Sequence, residues 1–319
     1  MKKIAFIIPP SVELLDLAGP VQVFTEAKFY GFETRIDFYS LQSKATSTAG
    51  LSFGKVQNYK KAKLQEDDFV FIPGVQFESL QKHVQEEKPF FKWLKQQAER
   101  GINICSVCNA AFVLGEAGLL DNKECTTHWR RSDALQKKFP KAKVLTDVLF
   151  VKSGNIYTSA GISAGIDLAL SILEELKDPL FVNKVARGLV VYHRRSHAHT
   201  QQSIYLDYRN HVNPKIHQAQ DYIIEHVADE VSIEKIAEHV CMSPRNLSRV
   251  FKEITGITIG EYLTKLRLEK AKTLKNNPEY TLCFIAAECG FKSNRQLQRI
   301  LKENNGHEKQ KNATLVYEA

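Results

Sequence analysis

Cys108 has the sequence setting of a reactive thiol. An apolar run at 102–107 precedes it and predicts a strand, and the small residues Asn109 and Ala110 follow it into a predicted helix. A sharp turn from strand to helix would expose the thiol at the helix N-terminus, where the helix dipole lowers a thiol pKa. Two interpretations stay open: a reactive cysteine, or a structural cysteine without a reactive role.

Other segments would join Cys108 if their strands end at the same edge of a sheet. Asp16 opens the first predicted helix, and His128 belongs to a later loop. Gly74 and Val75 end another strand, and their backbone N–H groups suit an anion or an oxyanion. We therefore expect an acid, a thiol and an imidazole to meet. The candidate pocket residues are Asp16, Gly74, Val75, Cys108, Asn109 and His128.

The elements that would position these residues alternate along the first part of the chain. Strands are predicted at 3–8, 35–40, 68–72, 102–107, 148–151 and 156–159, and helices at 16–30, 77–100, 110–116 and 163–176. Alternation of this kind predicts an α/β fold, a doubly wound and mostly parallel sheet, with ligands at the carboxyl ends of its strands.

The C-terminal part contains an internal repeat. Residues 243–256 and 293–306 align at an offset of fifty with seven identities, so one helical unit is duplicated. Ser243 and Ser293 are placed as N-caps, Pro244 follows at the first helical position, and Gln296 predicts a capping box. A short helical segment precedes each copy, at 233–240 and 282–288, with Gly290 in the second turn. The pattern predicts two helix-turn-helix motifs in an all-α domain.

Each repeated helix has an apolar face and a basic face. Apolar residues recur at helical spacing, namely Leu247, Val250, Phe251, Ile254, Leu297, Ile300 and Leu301. A predicted helix at 259–277 lies between the copies and spans about 28 Å, so the two helices would enter successive major grooves, which repeat every ~34 Å. The alternative is a two-unit helical solenoid with a merely solvated polar face.

Charge and cysteine content narrow the classes of protein. The chain has 319 residues, a net charge of +8 and a pI near 9.0, which permits nucleic acid as a partner. Pro9 and Pro10 interrupt the N-terminal apolar run, and no run reaches membrane length, so we expect a cytoplasmic protein with reduced thiols and no membrane contact. Cys105 and Cys108 form a C-x-x-C pair, but Cys105 lies in a predicted buried strand, which disfavours redox chemistry.

The motifs identify a family resemblance that covers nearly the whole chain. LDLAGP (15–20), VCNAAFVLGEAGLL (107–120), TTHW (126–129) and TSAGISAGIDLA (158–169) resemble the N-terminal domain of GlxA-type regulators. That domain is similar to the class I glutamine-amidotransferase-like superfamily, which includes PfpI proteases and isonitrile hydratases. Residues 233–306 resemble the AraC/XylS DNA-binding domain, including CGF (289–291).

The resemblance implies roles for particular residues. Cys108 takes the nucleophile-elbow position and Asp16 the position of its acidic partner, in a pocket that senses a small, often nitrogen-containing metabolite without processing it. The positions that contact double-stranded DNA match Arg245, Ser248, Arg249, Asn294, Arg295, Gln296, Gln298 and Arg299. Arg suits guanine, and Asn or Gln suits adenine. A homodimer is also implied.

The chain departs from the family pattern after each repeated helix. The family has Gly-x-x-Pro-x-x-Tyr there, whereas the first copy, 256–262, lacks the proline, and 306–312 lacks both the proline and a Tyr-Arg pair. We therefore expect the second helix-turn-helix to bind DNA more weakly than the first.

The predicted organisation has four parts. Residues 1–190 form an amidotransferase-like ligand-sensing domain, 191–213 a linker, 214–306 the DNA-binding domain and 307–319 a divergent tail. His193, His197 and His199 in the linker suit a metal, but a solvated linker explains them better, so we expect neither a metal nor a cofactor.

The predicted function is a DNA-binding transcription regulator that responds to a small molecule and is not an enzyme. The alternatives are an isonitrile hydratase-like or amidase-like enzyme with Cys108 as nucleophile, and a non-enzymatic helical scaffold.

Overall fold

The structure, a computed structural model, divides into two compact units at a boundary within the expected linker. Unit 1 comprises residues 1–201 and unit 2 residues 202–319. Residues 1–42, 45–54, 56–76, 88–146, 148–191, 194–195, 201, 203–275, 277 and 279–302 are described. The expected tail at 307–319 and part of the expected linker, including its three histidines, lie outside the described residues.

A seven-stranded, mostly parallel sheet forms the centre of unit 1. Its strands are β1 (Lys2–Ile8), β2 (Thr34–Ser40), β3 (Gln57–Asn58), β4 (Phe69–Ile72), β5 (Asn103–Val107), β8 (Phe150–Ser153) and β9 (Ile156–Ser159). They lie in the order β3-β2-β1-β4-β5-β9-β8, and only the β8–β9 pair is antiparallel. A separate two-stranded parallel sheet pairs β6 (Glu124–Cys125) with β7 (Lys143–Val144). The predicted α/β class is confirmed.

Helices cover both faces of this sheet. They are α1 (Leu14–Phe29), α2 (Lys88–Glu99), α3 (Ala111–Glu116), α4 (Ser132–Lys138), α5 (Ser163–Leu176) and α6 (Pro179–Gly188). Alternate residues of β1 enter opposite cores: Ile4 and Phe6 pack on the face of α1, α5 and α6, whereas Ala5 and Ile7 pack on the face of α2 and α3. Both layers therefore hold the carboxyl ends of the central strands in place.

Some elements of unit 1 differ from the sequence-based prediction. The first helix begins at Leu14, so Asp16 lies in its first turn and does not open it. A 3₁₀ turn, Cys108–Ala110, comes between β5 and α3. Five elements were not predicted: the strands β3, β6 and β7 and the helices α4 and α6. They are too short to show a clear hydrophobic period, or they lie outside the motifs described above. Residues 77–87 of the predicted second helix lie outside the described part of the chain.

Unit 2 is helical. Its helices are α7 (Ile204–Asp207), α8 (Pro214–Glu225), α9 (Ile233–His239), α10 (Pro244–Thr255), α11 (Ile259–Leu274), α12 (Leu282–Glu288) and α13 at 294–302. Two cores form, one around α8 to α10 and the start of α11, the other around the end of α11, α12 and α13. No helix in the described residues is both long and apolar enough to cross a lipid bilayer.

The caps of the two repeated helices match the prediction. The Ser243 hydroxyl accepts a hydrogen bond from the Asn246 N–H at 3.4 Å, and the Ser293 hydroxyl accepts one from Gln296 N–H at 3.2 Å. The Gln296 side chain does not complete a reciprocal capping box, because its Oε1 accepts from the backbone of Lys292 at 2.9 Å. Both helices nevertheless begin where the serines predict.

Candidate functional sites: the Cys108 pocket and the paired helix-turn-helix faces

Cys108 lies at a strained turn. Its φ of 59° is in the left-handed region, which a residue with a side chain enters at a cost of roughly 1–2 kcal/mol. The strain results from the abrupt change of direction between β5 and the 3₁₀ turn. This turn places the Cys108 side chain at the carboxyl edge of the sheet. The position therefore has the geometry of a nucleophile elbow.

Two glycines form the walls around Cys108. A Cβ atom on Gly161 would lie 2.8 Å from the Cys108 sulfur, and one on Gly74 would lie 2.3 Å from Oδ2 of Asp16 and 3.0 Å from the Cys108 Cβ. A side chain at either position would overlap Cys108 or Asp16, so the backbone approaches these two residues closely only because both positions are glycine. We call the site formed by Asp16, Gly74, Cys108, Asn109, Gly161 and Ile162 the Cys108 pocket.

Asp16 is the acidic group of the Cys108 pocket. Its Oδ1 accepts a 2.6 Å hydrogen bond from the Ile162 N–H, whereas its Oδ2 is buried with no hydrogen-bond partner among the described residues. Burial raises the pKa of Asp16 to about 6, although the Ile162 N–H and the Cys108 thiol lower it, and Glu13 adds negative charge nearby. A buried carboxylate with an unused oxygen is a strong acceptor for a ligand N–H.

The thiol of Cys108 is not activated. Burial raises its pKa, and the negative charge of Asp16 raises it further, while the Asn109 N–H lowers it only slightly. The expectation of a lowered pKa is therefore wrong, because the thiol is buried and faces the carboxylate of Asp16. At pH 7 the side chain is a neutral thiol.

The predicted oxyanion donors are already engaged. Val75 N–H donates to Asn109 Oδ1 at 3.0 Å, and the Asn109 side-chain amide donates back to Val75 O at 2.6 Å. The Gly74 N–H faces the Asp16 carboxylate and lowers its pKa. These two residues and Asn109 lie at the pocket as predicted, but their N–H groups stabilise the site instead of offering an anion hole.

Thr127, and not His128, contacts the elbow. The Thr127 hydroxyl donates to the Cys108 carbonyl at 2.9 Å. The His128 ring instead stacks on Trp129, with centroids 5.8 Å apart, and its Nδ1 accepts from the backbone of Arg130. Burial and the neighbouring arginines lower the pKa of His128, so its imidazole is neutral at pH 7. The structure therefore describes no imidazole contact to the thiol.

A groove of about 670 Å³ lies beside α1 and β2, apart from Cys108 and Asp16. Its walls are mostly apolar, including Leu17, Val21 and Phe53, and its polar pair is already formed, since Arg35 binds Asp37 at 2.8 Å. Ligand sites usually combine apolar walls with unused polar groups. The Cys108 pocket instead offers a buried carboxylate oxygen without a hydrogen-bond partner among the described residues.

The first recognition face lies on α10. Arg245 and Arg249 are exposed and Ser248 is partly exposed, while Leu247 and Phe251 are buried on the opposite side. The Arg249 guanidinium binds Glu253 at 2.9 Å on the next helical turn. This contact extends the guanidinium along the helix surface, where water or DNA can replace the carboxylate.

The second recognition face lies on α13 and repeats the first. Asn294, Arg295, Gln298 and Arg299 are exposed and Gln296 is partly exposed. Leu297 and Ile300 pack into the core below them. The predicted division between apolar and polar faces is therefore confirmed in both copies.

The two copies share α11. This helix has 16 residues, so its length is about 24 Å, somewhat shorter than predicted. Thr258 and Glu261 form a capping box at its start. One end packs with α9 and α10 and the other with α12 and α13, so the two helix-turn-helix motifs are held by a common element.

Comparison with known proteins decides the family. A family model described as the DJ-1/PfpI family matches residues 2–175, and one described as a helix-turn-helix domain matches residues 236–308. The first match spans more than half of the chain. The chain belongs to the DJ-1/PfpI family. The second match and the regulator relatives establish an AraC-type helix-turn-helix domain after the DJ-1/PfpI domain, so the predicted resemblance is confirmed.

Individual relatives include both regulators and an enzyme. The chain is 29% identical over 202 residues to the HTH-type transcriptional regulator CdhR of Pseudomonas aeruginosa, covering 63% of this chain and 60% of that protein. It is 30% identical over 174 residues to the isonitrile hydratase of Pseudomonas putida, covering 54% and 72%. The chain thus spans about 60% of the length of the first relative.

A solved structure supports the fold. The crystal structure of a ThiJ/PfpI family protein from Pseudomonas syringae matches with a TM-score of 0.53 and 24% identity, covering 75% of this chain and 88% of that one. At this identity the likeness concerns the fold alone, and it agrees with the sheet described above.

Arg267 is a structural residue of the helix-turn-helix domain that sequence analysis missed. Its guanidinium donates to the carbonyls of Val227 and Asp229 at 2.9 and 2.7 Å, between α8 and α9. It also lies beside Gly290, where a Cβ would be 2.6 Å from Ala228 O. From helical periodicity alone, an arginine in α11 is expected on the solvated face. The contacts of Arg267 in the folded chain instead show that it joins the two helix-turn-helix motifs.

The DJ-1/PfpI domain contains two other contact residues that sequence analysis left out of the pocket. Gly161 and Ile162 belong to the motif at 158–169, and they reach Cys108 and Asp16 only because β9 lies beside β5. Within the described part of the chain, no cluster of three metal-ligating side chains occurs.

Proposed function

We propose that this protein is a sequence-specific DNA-binding transcription regulator of the AraC type, whose DJ-1/PfpI domain binds a small effector. The observation that carries the proposal is the pair of capped helices that expose arginines at equivalent positions, with Asn294 and Gln298 exposed beside them in the second copy. Direct reading of bases in the major groove uses these three side chains, with Arg on guanine and Asn or Gln on adenine.

The geometry of the helical unit favours DNA over a scaffold role. A solenoid needs only a solvated outer face, and mixed charges would serve that purpose. Here Arg245 and Arg249 recur as Arg295 and Arg299 at the same helical positions, on faces opposite to the buried stripes. The two recognition helices pack at opposite ends of α11, which is about 24 Å long, and this arrangement suits neighbouring major grooves of one duplex, whose turns repeat every ~34 Å.

The Cys108 pocket supports an effector that donates hydrogen bonds from nitrogen. Its polar groups are the unused Oδ2 of Asp16, a neutral thiol and the negative charge of Glu13. The negative charges of Asp16 and Glu13 would repel an anionic effector there, and the Val75 N–H is already bonded to Asn109. A small amine, ammonium, amidine or amide would complement the carboxylate.

We propose that the Cys108 pocket binds without catalysing. A nucleophilic cysteine needs a thiolate, and burial beside Asp16 holds the pKa of Cys108 far above the physiological range. The competing hypothesis is an isonitrile hydratase-like or amidase-like enzyme, which the elbow geometry of Cys108 favours. Turnover of isonitriles or small amides by the purified protein, abolished in Cys108→Ala, would support the enzyme instead.

The proposal includes a homodimer in the cytoplasm, because two copies of a paired helix-turn-helix domain would read a repeated site. Sedimentation equilibrium of the full chain measures the dimer directly, and a monomer at micromolar concentration would remove this part of the proposal.

Selection of bound duplexes from a random DNA pool tests the regulator hypothesis. We expect enrichment of one motif with two segments about one helical turn apart, since each recognition helix reads one segment. In a second selection with Arg249→Ala, the motif should lose its base preference in one segment and keep it in the other. A pool that stays random after several rounds would support the scaffold hypothesis.

A further inference from the structure

The two cores of the helical unit meet within three residues of α11. Leu266 packs into the first core, around α8 to α10, and Leu268 packs into the second core, around α12 and α13. Arg267 lies between them and is half-buried. A helix can bend along its length, so α11 by itself does not fix the two helix-turn-helix motifs rigidly. Contacts made at Arg267 therefore bear directly on how the motifs are held.

Arg267 binds the segment between α8 and α9 through two backbone carbonyls. Its Nε donates to Val227 O at 2.9 Å, and its Nη2 donates to Asp229 O at 2.7 Å. The Val227 side chain packs against the first core, so this segment moves with the first motif. Because the guanidinium holds its donors in a planar fork, two bonds to separate carbonyls fix its orientation.

The turn of the second motif packs against the same guanidinium. A Cβ at Gly290 would lie 2.9 Å from Arg267 Nη2 and 2.6 Å from the carbonyl oxygen of Ala228. The preceding residue, Cys289, is buried in the second core. The second motif therefore approaches both Arg267 and the 227–229 segment closely, and it does so only because position 290 is glycine.

The first motif shows that the turn itself does not require glycine. Cys241 occupies the equivalent position there, with a φ of 51°, and it is exposed. The two turns are alike, since the N–H after Cys241 and the N–H after Gly290 each bind a carbonyl at 2.9 Å, that of Ala237 and that of Ala286. A left-handed residue with a side chain is thus accepted where the turn is exposed. The glycine of the second motif is explained by its close packing on the 227–229 segment.

We propose that Arg267 is a positioning residue whose contacts with Val227, Asp229 and Gly290 fix the two recognition helices relative to each other. We call these contacts the Arg267 joint. The joint rests on the proposed function, because it concerns the DNA segments that α10 and α13 read. It gives the two motifs a second point of attachment beside α11, so bending of α11 would have to break these contacts. The protein then selects the spacing between two DNA segments as well as their bases.

The geometry of the duplex makes this selectivity measurable. One base pair inserted between two segments moves one of them by about 3.4 Å along the duplex axis and turns it by about 35°. A rigid pair of recognition helices loses contacts with the displaced segment, whereas a loosened pair can follow it. We define the spacing ratio as the affinity for the selected duplex divided by the affinity for the same duplex with one inserted base pair.

Mobility shifts of the full chain, on a duplex that holds the two segments once, measure the spacing ratio. Arg267→Leu removes both hydrogen bonds of the Arg267 joint. Lys270→Met is the matched control, because Lys270 lies about one turn further along α11 and donates to Glu288 O at 2.6 Å, within the second motif.

A second pair of variants tests the joint from the side of the turn. Gly290→Ala pushes the turn away from Ala228 and Arg267. Gly256→Ala is its control: Gly256 has a φ of +77°, close to the +73° of Gly290, and no described atom lies within 4 Å of a Cβ at that position. The backbone strain is therefore similar in both variants, whereas only Gly290→Ala disturbs the joint.

We expect a spacing ratio of about thirtyfold in the parent chain, the scale of one mismatched base pair. Arg267→Leu and Gly290→Ala should each lower the ratio about tenfold, the scale of ordinary coupling between two sites, whereas Lys270→Met and Gly256→Ala stay within about twofold of the parent. Arg267→Lys keeps the charge without the planar fork, so its ratio should lie between those of the parent and Arg267→Leu.

Urea denaturation shows whether each variant folds. If Arg267→Leu does not fold, Arg267→Lys and Gly290→Ala carry the same test. An unchanged spacing ratio in folded Arg267→Leu, with both affinities lowered equally, overturns the joint, because Arg267 would then only stabilise the fold. An equal fall of the ratio in Lys270→Met also overturns it, since any loosening around α11 would have the same effect.

The same samples separate the Arg267 joint from the proposed function. If the parent chain prefers the selected duplex to a scrambled one but binds both spacings equally, the joint fails and the regulator stands. If the parent chain shows no preference for the selected duplex, the regulator fails, and the joint fails with it.

Discussion

The Cys108 pocket and the recognition faces of α10 and α13 differ in where their polar groups find partners. In the pocket, Asp16 is buried and depends on the Ile162 N–H, and the Val75 backbone depends on the Asn109 amide. On the helices, Arg245 and Arg295 are exposed, and the Arg249 contact with Glu253 lies in solvent. The Cys108 pocket therefore contains a strained backbone and a buried carboxyl group, whereas the recognition faces consist of side chains exposed to water.

The difference predicts two kinds of mutational effect. A substitution in the pocket changes a packed and partly strained arrangement, so it should alter stability and pocket shape together. A substitution on a recognition face removes an exposed side chain, so it should alter DNA binding and leave stability within about 0.5 kcal/mol. Each of the following predictions tests this division.

Gly161→Ala should have the largest effect. Gly161 has a φ of +110°, and a Cβ would lie 2.5 Å from the Cys108 Cβ, so strain and overlap together should lower the free energy of unfolding by about 3 kcal/mol or more. Gly31→Ala is the matched control, with a φ of +87° but no atom within 4 Å of a Cβ, and it should cost only about 1–2 kcal/mol. Urea denaturation measures both. Equal losses would show that Gly161 has no special steric role at the pocket.

Asp16→Asn should stabilise the protein in a pH-dependent way. Because burial raises the pKa of Asp16 from 3.8 to about 6, ionising it in the folded chain costs up to about 3 kcal/mol. The sign is that of a raised acid pKa: this contribution destabilises the parent chain as the pH rises from about 4 to 6 and is constant above that. The variant should therefore gain little at pH 4 and most at pH 7 to 8.

Urea denaturation at pH 4, 5, 6 and 7.5 tests the Asp16 prediction. A parallel reporter assay should show a lost effector response with ligand-independent DNA binding intact. A stability gain that does not depend on pH would contradict the assignment of Asp16 as a buried, ionising group.

Substituting each recognition arginine by Ala should weaken specific DNA binding by roughly 1–3 kcal/mol where the contact is bidentate to guanine. The variants are Arg245→Ala, Arg249→Ala, Arg295→Ala and Arg299→Ala. Stability should change little, because an exposed pair such as Arg249–Glu253 contributes about 0.3–0.5 kcal/mol. Mobility shifts on a selected duplex measure the affinity, and four parent-like affinities would show that the wrong helix faces were assigned.

The smallest expected effect is the difference between the two copies. Because the sequence after α13 lacks the family's proline and Tyr-Arg pair, Arg249→Ala should cost more affinity than Arg299→Ala, by about 1 kcal/mol at matched salt. The reverse ranking would mean that the second motif binds DNA fully despite its divergent sequence.

The sequence predicted the recognition faces better than the pocket. Helical periodicity alone separates Arg249 from Phe251, since burial on a helix repeats with its turn, and the repeat supplies the second face. The pocket depends on strand neighbours. The contact between Ile162 and Asp16 spans 146 positions, and no local pattern shows it.

The chemical state of the pocket was also beyond sequence analysis. A cysteine after a strand and before a helix predicts a lowered pKa, yet burial of the thiol and the nearby Asp16 raise the pKa of Cys108 instead. The backbone N–H groups of Gly74 and Val75 were predicted as free donors, but the Asn109 side chain binds that of Val75, and that of Gly74 faces the Asp16 carboxylate. These outcomes depend on atoms brought together by folding, which residue types alone do not specify.

Competition binding between a selected duplex and a scrambled duplex tests the central claim most directly. The full chain is measured at about 150 mM salt, because phosphate contacts make any single affinity depend on salt. We expect at least about a thousandfold preference for the selected duplex, reduced tenfold or more in the double variant Arg249→Ala/Arg299→Ala. Equal affinity of the parent chain for both duplexes would contradict sequence-specific binding by the paired recognition helices.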